Sequence, residues 1–495
     1  LLVENELSEK GLSKEDVGRE NFISKVWEWK EKSGENISGQ MKKLGMSCDW
    51  SRERFTMDEG LSAAVRQVFV TLYDSGFIYK GSRMVNWDTK LMSAVSDLEV
   101  NLEEQTGKLW SVKYKCGDEF ITIATTRPET ILADTAVAVN PDDERYKSFI
   151  GKTAIIPIVN REVPIIADEY VDKEFGSGCV KITPAHDFND YEIGLKHDLE
   201  VISCMKLDGT MSDDDFMPEN YKNLDRFEAR DQIVNELSEL GFLVSADDHV
   251  IQLPKGDRSK SILEPMITDQ WFVKTKELAD RGIAEVENEN MKFIPKNWEK
   301  TYFEWMYNIQ DWCISRQIWW GHQIPAWYDE DGNIYVATTE SEVREKYKLS
   351  DDLKLSQDKD VLDTWFSSAL WPFSTLGWPE ESTDLEKYYP TSLLVTGFDI
   401  IFFWVARMIM MGLNFNDDVP FKDILIHGLV RDSKGRKMSK SLKNTIDPLE
   451  LSEKHGADAL RFSLIEKAAP GQDVPFDEEW TIAAKKFGNK LWNAA

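Results

Sequence analysis

Between about residues 107 and 248 the sequence changes its period, and that change limits the folds open to it. Upstream, Leu61, Ala64, Val65, Val68, Phe69, Leu72 and Tyr73 recur at helical spacing, and Gly76 ends the run. Then come short β-rich runs, 109–114, 120–124, 136–139, 153–159 and 163–166, separated by turn residues. Helical spacing returns over 226–240 and stops at Gly241. A chain of 495 residues is too long for one core, so the pattern predicts an α/β protein carrying a β-rich globular insert. We divide it into a mostly helical 1–106, the β-rich 107–248, a mixed α/β 249–445 and a helical 446–495.

Within the third segment, Trp327-Tyr328 and Ile334-Tyr335-Val336 flank Asp329–Asn333, a hairpin signal. Ile424-Leu425-Ile426 reads as a buried strand running into His427-Gly428, and Asp447-Pro448 opens a helix. The longest apolar run, 400–413, is interrupted by Arg407 and falls short of the ~20 residues of a membrane span, so it reads as a buried helix and no membrane is expected as a partner. Five scattered cysteines without a C-x-x-C pair fit a reducing cytoplasm and argue against a disulfide framework.

A net charge of −29 argues against a protein that coats nucleic acid with a broadly basic face. The basic residues gather instead in 431–443, with Lys485, Lys486 and Lys490 as a second group. The first run contains Lys437-Met438-Ser439-Lys440-Ser441. Two lysines three apart, with the short hydroxyls of Ser439 and Ser441 beside them and Gly435 nearby, can close on a polyphosphate as point charges.

A second constellation lies in the β-rich segment. Thr125-Thr126-Arg127-Pro128-Glu129-Thr130 is a polar turn after a strand. Some fifty residues later, Gly176-Ser177-Gly178 precedes Cys179–Thr183, where Lys181 and Thr183 alternate with Val180 and Ile182 and so share one face of a strand. His186, Asp187 and Asp190 follow at a helix start, where Asp187 serves equally as a cap. Three convergent ligands would make a metal site, but no metal is predicted here, and no Ser or Cys stands in a nucleophile elbow. The residues offer a small polar pocket with carboxylates for an ammonium group.

Together these motifs resemble class I aminoacyl-tRNA synthetases of the valyl/isoleucyl/leucyl subgroup over nearly the whole chain. Lys437–Ser441 matches the KMSKS loop, and the 125–130 and 176–191 segments look like the subgroup's editing insert. Asp363–Pro379, Gly397–Met408, Asp311–His322 and Phe55–Asp58 are similar to the valyl branch. The resemblance implies a Rossmann-type catalytic core, incomplete at its N-terminus, with a β-rich editing domain inserted and the start of an α-helical domain behind it. It implies valine, ATP with Mg²⁺ and the valine tRNA as ligands of a cytoplasmic monomer. Lys437 and Lys440 would act catalytically on the triphosphate, with Met438, Ser439, His427 and Gly428 near ATP; Trp365, Ile400 and Trp404 would wall the valine side chain. Thr125, Thr126, Arg127, Thr130, Lys181, Thr183, Asp187 and Asp190 would form the pocket that hydrolyses tRNA mischarged with threonine. Asp190 would hold the α-ammonium, and Asp187 or Thr183 would accept from the threonine hydroxyl.

The chain departs from the family in three places. No His-x-Gly-His element includes any of His186, His197, His249, His322, His427 or His455, and there is no initiator Met, so the sequence reads as part of a longer protein, poor in adenylation yet able to edit. Asn86–Met92 lacks the Cys pairs with which some relatives hold zinc, so no structural zinc is predicted. Lys443 stands where Gly is usual after the KMSKS run. The competing readings are an isoleucyl-type enzyme, a non-catalytic tRNA-binding paralogue and a free-standing deacylase; the 363–379 segment speaks against the first, and the intact KMSKS stretch against the others.

Overall fold

The structure is a computed structural model that describes residues 2–438 and 444–495. The chain forms two compact units, one of residues 80–272 with 315–318, the other of residues 1–79, 273–314 and 319–495.

The first unit is built on a curled seven-stranded sheet. Its order is Glu119–Thr125, Val100–Cys116, Thr153–Ile155, Glu162–Ala167, Ala136–Val139 and Cys179–Ile182, with Leu243–Gly256 also pairing to Val100–Cys116. All the pairings are antiparallel except that of Ala136–Val139 with Glu162–Ala167. The two ends of the order, Glu119–Thr125 and Cys179–Ile182, lie against each other. That contact brings the turn after one strand up to the residues of the other. Ala136, Ala138, Val171, Ile182 and Ile193 close into one core cluster, and through Ile193 the helix Phe188–Lys196 is seated on the sheet.

Val100 to Gly107 pair with His249 to Gly256 as a two-stranded ribbon whose residues are exposed or half-buried on both faces, Gly256 excepted. The first hundred residues, expected to be mostly helical, also contain the strand Ile78–Asp88, which pairs with Ser93–Val95. Lys80, Ser82 and Arg83 break its apolar alternation, which is why period alone does not reveal it. Its turn is closed by Asp88, whose Oδ1 accepts from the amides of Lys90 and Leu91 at 3.0 Å each.

In the second unit, helix Glu59–Asp74 buries Leu61, Ala64, Val65, Val68, Phe69 and Leu72, the stripe read from the sequence except Tyr73, which is half-buried, and Asp58 caps it by accepting from Leu61 N at 2.8 Å. Each of the larger of these side chains contributes roughly 1.5–3 kcal/mol through burial. Lys292–Ile294, Phe421–His427 and Thr391–Gly397 form a parallel sheet in that order. The run Phe398–Asn416 is long and apolar enough to cross a membrane, yet over half of its best window is packed inside the unit. It is wound as a 3₁₀ turn (Phe398–Ile400), a π segment (Ile401–Ala406) and an α-helix (Arg407–Asn416). Arg407 is buried in it, 3.9 Å over the Trp312 ring and 3.6 Å from Asp363.

Candidate functional site

A cleft of about 270 Å³ in the β-rich unit is lined by Thr125, Thr126, Arg127, Thr130, Lys181, Thr183, Asp187 and Asp190, together with Leu109, Tyr170, Phe175 and His186. All eight residues nominated for the hydrolytic pocket therefore meet in one place. The reason is topological: Thr125 ends one strand and Lys181 lies on another, and the curl of the sheet brings the two together.

Behind the cleft lies a residue that sequence reasoning missed. Asp134 is fully buried, and its Oδ1 accepts from Lys181 Nζ at 3.0 Å and from Thr183 Oγ1 at 2.6 Å. Its Oδ2 accepts from the buried Tyr114 hydroxyl at 2.5 Å. Lys181 also donates to Thr183 Oγ1. Burial raises the Asp134 carboxyl above its usual range against the pull of Lys181, and burial raises the Tyr114 phenol well above its own.

Asp190 sits in the first turn of helix Phe188–Lys196, whose cap is Asp187. Its Oδ2 accepts from Thr183 N at 2.8 Å. Burial, and then the neighbouring Asp187 charge, push its pKa up to about 7. A carboxylate held this reluctantly gains most when a cation arrives beside it.

Arg127 lines the cleft, but three of its five N–H donors are committed to the protein. It donates Nη1–H to His186 O at 2.8 Å, Nε–H to Glu129 at 3.1 Å, and Nη2–H to Glu264. Glu129, fully buried, also takes a bidentate pair from Arg230 at 2.7 and 2.8 Å, and Glu264 takes Arg226 at 2.7 Å. Burial lowers the pKa of Arg127, but Glu264 and Glu129 outweigh it and hold the group above its ordinary value. His186 Nε2 accepts from Cys204 N at 2.9 Å, and burial drops its pKa to about 3, so it is neutral with its proton on Nδ1. Thr125 Oγ1 accepts from Arg127 N at 3.0 Å, and Thr130 donates to Arg127 O at 3.0 Å. Among the described residues no three His, Cys, Asp or Glu side chains group as a metal set.

In the second unit, Trp365 and Trp404 line a cavity of about 260 Å³ together with Ser368 and Trp371. Trp404 Nε1 donates to Ser368 O at 2.9 Å, which fixes the indole, and Trp365 packs 5.2 Å from Phe403. Ile400 is not part of this lining. It stands at the junction of the 3₁₀ turn and the π segment with φ −117° and ψ 17°, outside a regular helix, so the four-residue spacing to Trp404 does not give a shared helix face there. Sequence spacing alone gave no sign of Ser368 or Trp371.

His427 ends its strand exposed, and at Gly428 a Cβ would lie 1.7 Å from the carbonyl oxygen of Gln472. Packing alone thus demands Gly428. Lys437 pairs with Arg431 through an isolated antiparallel bridge, and Met438 follows it. Asn444 Nδ2 donates to Asp432 Oδ2 at 2.9 Å and to Lys437 O at 3.2 Å. Asp432 also accepts from Lys434 N and Arg436 N at 3.0 and 2.8 Å; the Asn444 bond leads in lowering its pKa to about 2. Ser439 and Lys440 lie outside the described residues.

The model of the family described as tRNA synthetases class I (I, L, M and V) matches residues 1–477. The chain belongs to the class I tRNA synthetases. Curated relatives include "Valine--tRNA ligase" of Legionella pneumophila (strain Paris), 54% identical, covering 100% of this chain and 58% of the relative. The "Valine--tRNA ligase" of Clostridium tetani (strain Massachusetts / E88) is 57% identical, covering 100% of this chain and 56% of that one. The chain thus spans a little over half the length of these relatives. Among solved structures, a ternary complex of Agrobacterium radiobacter K84 agnB2 LeuRS with tRNA and LeuAMS has a TM-score of 0.50 at 17% identity, covering 96% of this chain and 66% of that one. That likeness speaks to the fold alone. The class I synthetase fold, an α/β core with a β-rich insertion, is the one expected from the sequence.

Proposed function

We propose that the chain is the catalytic and editing portion of a valine–tRNA ligase, in a cytoplasmic monomer that takes valine, ATP and the valine tRNA and clears threonine from the mischarged tRNA. The observation that carries this reading is the meeting of all eight nominated residues in one polar cleft, supported by relatives named valine–tRNA ligase at 54 and 57% identity. The cavity at Trp365 and Trp404 supports a small apolar side chain as the other ligand. ATP would meet Lys437, Met438, Ser439, Lys440 and the His427-Gly428 turn, with Mg²⁺ adding charge stabilisation to the triphosphate.

In the cleft the Asp190 carboxylate takes the α-ammonium of the aminoacyl ester. Lys181 spends two of its three N–H groups on Asp134 and Thr183, so one is left for the cleft; Thr183, which accepts from Lys181 and donates to Asp134, keeps one lone pair. A ligand hydroxyl can donate to Thr183 and accept from Lys181. The valyl ester leaves both groups unmet. Valyl enzymes are themselves the known case in which a hydrophobic pocket rejects threonine only ~10²-fold, so a second, hydroxyl-reading sieve is needed.

Hydrolysis proceeds by direct water attack on the ester carbonyl, with the ribose oxygen leaving and taking a proton. The hydroxyls of Thr125, Thr130 and Thr183 are engaged with backbone or with Asp134, no free base among the described residues stands beside them to activate a hydroxyl, and His186, neutral with Nε2 already occupied, is no base. The test is hydrolysis of threonyl- against valyl-esterified valine tRNA by this chain and by Asp190→Ala. Selective loss of the threonyl ester, at least about tenfold slower in the variant, is expected. Equal hydrolysis of both esters, or an unaffected variant, overturns the reading.

A further inference from the structure

We infer that Asp134, which touches no ligand, is the positioning residue of the hydrolytic pocket: it sets the hydrogen-bond polarity of Lys181 and Thr183 and thereby the preference for a hydroxyl-bearing side chain. The inference rests on the hydrolytic reading above and adds to it a residue outside the cleft lining.

A threonine hydroxyl can point its proton at a ligand or away from it, and an ammonium can aim any of its three N–H groups. Asp134 removes both freedoms. Thr183 gives its proton to Asp134 Oδ1 at 2.6 Å, so toward the cleft it can only accept. Lys181 gives one N–H to the same oxygen at 3.0 Å and a second to Thr183, so only one remains to donate. The pair therefore offers one donor and one acceptor side by side, the complement of a hydroxyl.

Asp134 is held as firmly as it holds. Its second oxygen takes the Tyr114 hydroxyl at 2.5 Å, and Thr135 N donates to Ile182 O at 2.9 Å, which fixes the backbone beside it in register with the Lys181 strand. The Arg161 Nη2 donates to the carbonyls of Leu132 and Asp134 at 2.9 and 2.7 Å, closing the other side. Such a carboxylate, fully buried, balances the Lys181 charge and fixes its direction.

A merely structural role and a positioning role differ in what they do to selectivity. The experiment measures the affinities of this chain for two non-hydrolysable amides, threonyl and valyl, of the tRNA's terminal adenosine. Asp134→Asn, Lys181→Met and the double variant are compared, with thermal midpoints as the check on folding. The threonyl-over-valyl preference is expected to fall at least about tenfold in Asp134→Asn, while valyl affinity stays within about twofold. In the Lys181→Met background Asp134→Asn should cost clearly less than it does alone, because one of the two groups it directs is gone and only Thr183 remains.

An unchanged preference in folded Asp134→Asn overturns the proposal, as does a further loss in the double variant equal to the single one. If Asp134→Asn does not fold, Tyr114→Phe replaces it; that variant frees one Asp134 oxygen without uncovering the ammonium, and an unchanged preference there overturns the proposal equally. A wild-type chain that binds neither amide overturns the hydrolytic reading itself, a result that no Asp134 variant can produce.

Discussion

Asp187 caps the helix that carries Asp190: its Oδ1 accepts from the amides of Asn189 at 2.8 Å and of Asp190 at 3.1 Å. The residue nominated as a substrate contact is thus also a structural one, and two variants separate the roles. Asp187→Asn keeps a capping oxygen; Asp187→Ala removes it at a cost of about 1 kcal/mol. Hydrogen exchange at the Asn189 and Asp190 amides should quicken in the alanine variant and stay near wild type in the asparagine variant. Equal exchange in both would show that the cap does not hold this turn.

Protonation of Asp190 should govern ligand binding near neutrality. With its pKa pushed up to about 7 by burial and by Asp187, the site is half-ionised there, so affinity for an α-ammonium ligand should climb as pH rises toward 7 and fall again once the ligand's own amino group loses its proton, near about 8. Asp190→Asn should flatten that rise. Stability runs the other way. The unfolded carboxyl ionises near 3.8 and the folded one near 7, so the unfolded chain binds fewer protons in between, and Asp190 withdraws stability as pH climbs through that window. Isothermal titration at several pH values, for wild type and variant, checks the binding statement, and denaturation at the same pH values checks the stability one; a pH-independent affinity would sink the first.

Removing one partner of the Arg127–Glu129–Arg230 network should be severe. Glu129 is fully buried between two guanidinium groups, and Glu129→Gln takes the carboxylate from Arg230 and leaves Arg127 with Glu264 alone, at roughly 3–5 kcal/mol. Urea denaturation followed within the β-rich unit reads this directly. A loss below about 1 kcal/mol would mean the network relaxes into solvent.

Gly428→Ala should destabilise the second unit whatever its ligand. The added Cβ would fall 1.7 Å from Gln472 O, a backbone atom, so the strand end must separate from the loop that Leu429 N holds through Asp473 at 2.8 Å. Overpacking of this kind costs roughly 1–3 kcal/mol or more. A variant with an unchanged melting temperature and unchanged ATP affinity would contradict the close approach.

What the sequence disclosed follows the range of the interactions. Lys181 and Thr183 were placed on one face because strand alternation is local, and Thr125–Thr130 because a turn is local. Asp134 escaped because its partners stand 20 residues before it and 47 and 49 after it. The available signal was a lone carboxylate in the otherwise apolar stretch Ile131–Val139, broken besides only by Thr135, since a charge in such company is buried and paired. The ribbon strands around Asn101 and Gln252 carried no apolar alternation because neither face is buried. Ile400 and Trp404 do not share a regular helix face, because the backbone changes its winding between them, a change that residue spacing does not reveal.

The buried Arg and Glu network also bears on how this chain can change over generations. Three guanidinium groups and two carboxylates interlock there, so no single charge can be lost neutrally. Glu129 and Arg230 must drift together, as must Glu264 and Arg226, while Arg127, shared by both pairs, has no single compensating partner. Lineages should therefore show the outer arginines exchanging in step with their carboxylates around a fixed Arg127, and an ancestor that lost Arg127 first would have had to surrender the whole arrangement.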